Sequence, residues 1–410
     1  MTASDSSLPH DGRSHSIAFI LVTIFIDSIG FGLVIPVLPR LLMAVGRIDL
    51  PRALEVSAWM GLAIAVATFF AAPVLGNLSD RFGRRPVLLI ALAGLAIDYL
   101  LLAIAHTLPL IFIGRVLSGA FGGSYAPAQA AIADITAPEQ RARRFGLVSA
   151  AFGVGFVLGP AVGGLLGMIG DRAPFYAASA LAALNFVYGL TIFPETLAPE
   201  RRRGFDWRRA NPFGALAAAR AAPGMMAAAM VLVFWQIASL VYPLTWAFYG
   251  IARFGWSNLM IGASLAAVGV VIAASQMTLI GPAVRRFGER DAATIGLLSA
   301  TTGFVLYAFI TETWVAFAAL LFIAGQSLVQ PSLMAMLSRR ATAETQGEVQ
   351  GIAAMALGIG SIVAPLVLTK VMADNTYDGA PLWRSGAAFL VAAGFALVAL
   401  VLLRRLPRAT

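Results

Sequence analysis

Apolar residues in this chain of 410 come in long runs separated by short polar breaks. The runs cover residues 16–42, 55–76, 86–106, 109–134, 144–168, 174–193, 224–247, 258–281, 291–310, 313–336, 346–372 and 383–403. A helix needs ~20 mostly apolar residues to cross a hydrocarbon core of ~30 Å, and these runs have about that length. Lipid admits only helices or closed barrels, and barrel strands alternate in polarity over ~10 residues. The runs show no such alternation. The pattern predicts an all-α membrane protein of twelve transmembrane helices.

The longest polar interruption, residues 194–223, divides six runs from six. A repeat crosses it at a shift of about 205. GNLSDRFGRR at 76–85 is echoed by GPAVRRFGER at 281–290, and Gly159-Pro160 by Ala364-Pro365 at almost the same shift. Duplications of this kind build transporters with a midplane site between two halves. The expected organisation is a cytoplasmic tail at 1–15, six-helix bundles at 16–193 and 224–404, a cytoplasmic linker at 194–223 and a short tail at 405–410.

Composition sharpens this picture. The chain is 59% hydrophobic and 12% charged, about half the ~25% charged residues of a soluble domain. With the N-terminus placed in the cytoplasm, 21 of the 29 basic residues fall inside, 7 outside, and Arg115 within a span. Basic loops stay cytoplasmic, so both termini are expected there, in a bacterial inner membrane. Topology and anionic lipid account for the net charge of +9, and no nucleic-acid partner is expected. The absence of cysteine and the three histidines argue against thiol chemistry, a metal site or a cofactor. The first fifteen residues lack the features of a signal peptide.

Three ionisable residues lie well inside spans: Asp27, Asp98 and Arg115. At ~1.5 Å per residue, all three sit near one level, slightly outside the midplane. Such residues are costly in hydrocarbon and point to function. One guanidinium can hold one carboxylate ionised, while a second carboxylate in a poorly hydrated cavity favours its protonated form. The trio can thus toggle by one proton, with Asp27 and Arg115 expected as the core pair. A static pair locking helices together is the competing reading. The C-terminal half offers Trp235, Gln236, Tyr242, Trp246, Gln276, Gln326 and Gln330, and no carboxylate or base well inside its spans. Amides and aromatics suit a neutral or amphipathic solute.

Between the second and third runs, GNLSDRFGRRPVLL (76–89) places Asp80 among Arg81, Arg84 and Arg85, with Gly76 and Gly83 permitting close turns. Asp134 closes the fourth run on the same side. The group is a candidate cytoplasmic gate. In the fifth run, GVGFVLGPAVGG (153–164) brings Gly153, Gly159, Pro160, Gly163 and Gly164 into one helix, where small residues allow close helix contact.

These stretches resemble the major facilitator superfamily: the 76–89 segment its loop signature, and GPAVGG its antiporter signature. IDSIGFGLVIPVLP (26–39) and IGRVLSGAFGG (113–123) resemble its first and fourth helices. ADITAPEQRARRFG and AMLSRRATAETQGEVQG resemble the tetracycline/proton antiporter group in particular, and the likeness runs from about residue 18 to 370. It implies a proton-coupled exporter in which Asp27, Asp98 and Arg115 handle the proton. Asp80 and Asp134 also fall on its motif positions. That group carries a His in its eighth span and an Asp in its ninth, where this chain has Ile272 and Ala300. A Gln of its second span is Thr68 here, while Gln276 matches. A metal-chelated, charged drug would lose its C-terminal partners at these positions. The implied partners are protons and a drug or small amphipathic molecule, carried by a monomer. Export of a metabolite or sugar is the alternative, and a non-transporting receptor would leave the buried charges unexplained. No catalytic constellation stands out, so an enzyme is not expected.

Overall fold

The computed structural model describes residues 10–122, 125–207, 211–214, 224–339, 346–377 and 381–406. Among these it is helical throughout. Eleven helices are long and apolar enough to cross a membrane, and Leu108–Phe121 is a shorter apolar one. In chain order the elements are α1 (His10–Val34), α2 (Leu38–Gly46), α3 (Leu50–Phe82), α4 (Arg84–Ile104), α5 (Leu108–Phe121), α6 (Tyr125–Ile135), α7 (Pro138–Leu166) and α8 (Ala173–Ile192). They continue as α9 (Met225–Ser239), α10 (Val241–Phe254), α11 (Asn258–Thr278), α12 (Ile280–Phe309), α13 (Thr313–Ala318), α14 (Leu321–Gln326) and α15 (Val329–Ser338). The last are α16 (Gln346–Ala364), α17 (Lys370–Asn375) and α18 (Ala387–Arg405).

Proline and glycine explain where elements depart from the apolar runs. The run 16–42 breaks at Pro36, which separates α1 from α2. The run 109–134 divides after Phe121, where Gly122 caps α5 through its N–H to Ser118 O at 2.7 Å. Its fourteen residues rise only about 21 Å, short of a full crossing, and helix resumes at Tyr125. Pro365 opens a π-helical turn, Pro365–Thr369, between α16 and α17.

The helices gather into two compact units. One holds Met1–Val37 and Val66–Asn211, the other Leu38–Ala65 and Pro212–Thr410. In the first, Phe19, Ile20, Ile24, Leu88, Leu92, Ala131, Ile132 and Val148 form the core, with Phe19 stacked on Phe193 at 4.5 Å. The second is centred on an aromatic nest of Tyr242, Trp246, Tyr249, Phe304, Tyr307 and Phe389. Large apolar side chains such as Ile97, Leu184 and Val187 are more than half exposed. Such a surface is tolerable in lipid and a liability in water.

Candidate functional site

The site is built around a buried ion pair. Helices α4 and α5 are joined by residues 105–107, so residues equally far from that turn share a depth. Asp98 lies about 9 Å before it and Arg115 about 10 Å after it. Arg115 Nη2 donates to Asp98 Oδ2, and the two residues are 7% and 0% exposed. Gly114 makes the seat: a Cβ there would lie 2.9 Å from Asp98 Oδ1. Ser118 lies one turn on, close to the carboxylate.

Tyr99 joins this pair to α1. It is buried and lies within electrostatic reach of Asp98, Arg115 and Asp27. Its ring packs on Gly30, where a Cβ would be 3.0 Å from the hydroxyl. Half-buried Asp27 is three residues earlier on the same helix, and residues so spaced share a face. The three charges expected from the sequence therefore gather around one tyrosine. The expected pairing of Arg115 with Asp27 is corrected: Arg115 bonds Asp98, which the short α4–α5 turn brings beside it on the neighbouring helix. Tyr99 went unnoticed in the sequence because an aromatic residue in an apolar span ordinarily signals packing.

Helices α1 and α7 touch backbone to backbone on either side of Asp27. Cβ atoms at Gly155, Gly159 and Gly163 would come within 2.6, 2.6 and 2.5 Å of the carbonyl oxygens of Phe25, Ile29 and Leu33. Both sets are spaced by four, so each lies along one helix face. From the α1 side, a Cβ at Gly32 would lie 2.6 Å from Pro160 Cδ. Ser28 Oγ closes the seam by donating to Phe152 O at 2.6 Å. Gly153 faces open space, and Gly164 is buried outside this stripe. Gly155 completes the stripe; counting back four from Gly159 would have found it.

The segment between α3 and α4 holds a second charged cluster. Arg84, 8% exposed, donates from Nη1 to Asp80 Oδ1 at 2.6 Å and Ser79 Oγ at 3.1 Å, and from Nε to Asp134 Oδ2 at 2.9 Å. Glu195 was missed. It accepts the backbone N–H groups of Arg84 at 2.8 Å and Arg85 at 3.2 Å, capping α4, and those of Thr196 and Leu197 at 2.9 Å. Its carboxylate occupies the side-chain space of Gly83, whose φ is +108° and whose Cβ would fall on Oε2. Arg85 reaches Leu190 O at 2.8 Å, and Arg81 lies over the Phe82 ring at 4.9 Å. A Cβ at Gly76 would meet open space.

The same device recurs 205 residues later. Gly288, the partner of Gly83 in the repeat, has φ +77° and ψ 166° and interrupts α12. Arg286 lies over Phe287 at 5.5 Å, and Arg290 donates to Arg404 O at 2.5 Å. Glu289 bonds Arg339 at 2.8 Å, with the charges of Arg84 and Asp134 exchanged.

The polar candidates of the other half are dispersed. Trp235 and Tyr242 are buried, 3% and 8% exposed, and Tyr242 is enclosed by Trp246, Phe304, Tyr307 and Phe389 at 5.5–5.9 Å. Gln236 donates to Ser361 Oγ at 3.1 Å. Gln326 and Gln330 are half-buried, and Gln276 is exposed. Thr68 Oγ1 donates to Gly119 O at 3.0 Å. Ala300 is buried and Ile272 half-buried. Among the described residues no group of three His, Asp or Glu could hold a metal.

The Major Facilitator Superfamily matches residues 20–365 and 251–410. This chain belongs to that superfamily. It is 41% identical over 395 residues to the class C tetracycline resistance protein of Escherichia coli, covering 96% of this chain and 97% of that one. To multidrug resistance protein 2 of Bacillus subtilis (strain 168) it is 27% identical over 353 residues, covering 84% and 86%. Among solved structures, the nucleoside transporter NupG superposes with a TM-score of 0.76 at 15% identity, covering 96% of this chain and 99% of that one. The protein is thus a multi-pass membrane protein of a transporter superfamily, all-α in fold.

Proposed function

We propose that the protein is a proton-coupled antiporter that exports a drug or small amphipathic organic molecule from the cytoplasm by alternating access. It acts as a monomer in the bacterial inner membrane, with both termini cytoplasmic. Its two bundles, 16–193 and 224–404, are joined by the cytoplasmic linker 194–223. The observation that carries this reading is the Asp98–Arg115 pair sharing Tyr99 with Asp27. It gains weight from near full-length similarity to resistance proteins.

Arg115 neutralises Asp98, so the trio carries one negative charge when Asp27 is ionised and none when Asp27 holds a proton. A charge in this setting costs at least ~2.5 kcal/mol. Asp27 shares the Tyr99 face of α1 with Gly30, while the other face of the helix meets α7 at backbone contact, so protonation of Asp27 biases a helix whose far side has no side-chain slack. The cluster of Asp80, Arg84, Asp134 and Glu195 forms the cytoplasmic gate. Substrate contacts come from Gln236, Gln276, Gln326, Gln330 and Thr68, with Trp235 and Tyr242 as aromatic walls.

Drug susceptibility of a bacterial strain stripped of its own pumps tests this reading. The wild-type chain should protect against at least one compound of a broad panel that includes tetracyclines, and Asp27→Asn should not. Expression without protection against any compound would shift the reading to export of a metabolite or sugar.

A further inference from the structure

Beyond Glu195, the segment that follows α8 is not used by the mechanism, yet it is held in place. Asn77, buried near the end of α3, donates from Nδ2 to Asp206 O at 2.5 Å and accepts Asp206 N–H on Oδ1 at 3.3 Å. The N–H of Arg203 donates to Asp80 O at 3.0 Å. Residues 203–206 are thereby strapped to the last turns of α3, just before that membrane-length helix ends at Phe82.

The strap presents a distinctive surface. Arg201, Arg202 and Arg203 are exposed, and Arg81 beside the anchoring carbonyl is exposed as well. Glu200 and Asp206 offset two of these four positive charges, leaving a basic strip. Among the described residues Trp207 is 77% exposed, with Phe205 against it, edge to face at 4.9 Å. Phe82, at the end of α3, is 51% exposed. A tryptophan so exposed is poorly placed in water. Trp and Tyr are enriched where a membrane meets water, and arginines beside that level are drawn to anionic head groups.

We propose that residues 201–207 form a surface anchor that binds anionic lipid head groups, with Trp207 and Phe205 seated in the interface and the arginines on the lipid phosphates. The proposal needs only the membrane-spanning character of α3 and is independent of substrate and proton coupling. Failure here would leave the transport reading untouched.

The chain contains no cysteine, and a Cβ at Gly204 would enter open space. Gly204→Cys therefore accepts a nitroxide label as the sole thiol adduct of the full-length protein. Collisions of the label with a water-soluble nickel reagent are measured in phosphatidylcholine vesicles and in vesicles containing phosphatidylglycerol. The expected result is a fall in collision rate of about fivefold in the anionic vesicles, the factor that one arginine at such a surface supplies. The fall should be lost in R201Q/R202Q/R203Q and reduced in W207S. Inorganic phosphate added to phosphatidylcholine vesicles should leave the rate unchanged. Equal rates in the two lipids, or protection that survives the triple substitution, would overturn the proposal. So would protection by phosphate alone, which would mark a free-anion site.

Discussion

Glu289 and Arg339 form, at 2.8 Å, the ion pair that Arg84 and Asp134 form at 2.9 Å, with the two charges exchanged between the same positions of the repeat. Pair attraction is indifferent to that exchange; the helix dipole is not. Arg84 opens α4, where a positive charge opposes the macrodipole, and Glu195 answers by placing a carboxylate on the same helix end. Glu289 follows the interruption at Gly288, so its own acid supplies the favourable charge.

Exchange of charges should therefore cost something in both halves, and more in the N-terminal one. Glu289→Arg combined with Arg339→Glu re-forms a pair but moves the arginine from a 72% exposed position to a 13% exposed one at a helix start, so thermal stability in detergent should fall by about 0.3–1 kcal/mol, the size of the lost dipole interaction. Arg84→Asp combined with Asp134→Arg also strips Asp80 and Ser79 of their partner and should cost roughly 2–4 kcal/mol. Equal melting temperatures for the two swaps would contradict this asymmetry.

Glu195→Ala should lower stability by about 0.5–2 kcal/mol, the range for a lost helix cap. Gly83→Ala should be worse, because its Cβ would enter the Glu195 carboxylate. Combining the two should not restore stability, since the φ of +108° at residue 83 remains. Thermal unfolding of the three variants decides the point.

Gly159→Ala drives a methyl toward the Ile29 carbonyl, 2.6 Å away, whereas Gly153→Ala meets open space. Overpacking a tight contact costs roughly 1–3 kcal/mol. The first variant should melt at a lower temperature and transport poorly, while the second should match wild type in both.

Much of this was legible in the sequence, and the rest was hidden for identifiable reasons. Apolar run length marks spans because lipid leaves the backbone no partner outside a helix. Charges as rare as Asp98 and Arg115 in such runs mark a site. Partner choice was less legible: Asp27 and Asp98 lie at one level with Arg115, and the packing of α4 against α5 gives it to Asp98. Glu195 lies 111 residues from Arg84, and nothing in the local pattern of either stretch announces their bond. Tyr99 and Gly155 read as packing residues in an apolar span, and their importance lies in what they touch. The runs 16–42 and 109–134 each hold two helices, because Pro36 and Gly122 sit within apolar stretches where hydropathy does not register backbone geometry.

Losing half of the buried pair differs from losing all of it. Arg115→Met leaves Asp98 charged in an apolar seat and should cost roughly 3–5 kcal/mol. Asp98→Asn with Arg115→Met removes that orphan and should regain most of the stability without regaining transport. Recovery of transport in the double variant would reduce the pair to a packing element.

The central claim is that Asp27 takes the coupling proton while Arg115 holds Asp98. Purified protein in liposomes with an imposed pH gradient, loaded with a compound that the chain protects against, tests it most directly. Wild type should accumulate the compound against its gradient and release protons as it does so. Asp27→Asn should still exchange compound across the membrane at equal concentrations, but neither accumulate it nor move protons. Full gradient-driven accumulation by Asp27→Asn would contradict the account.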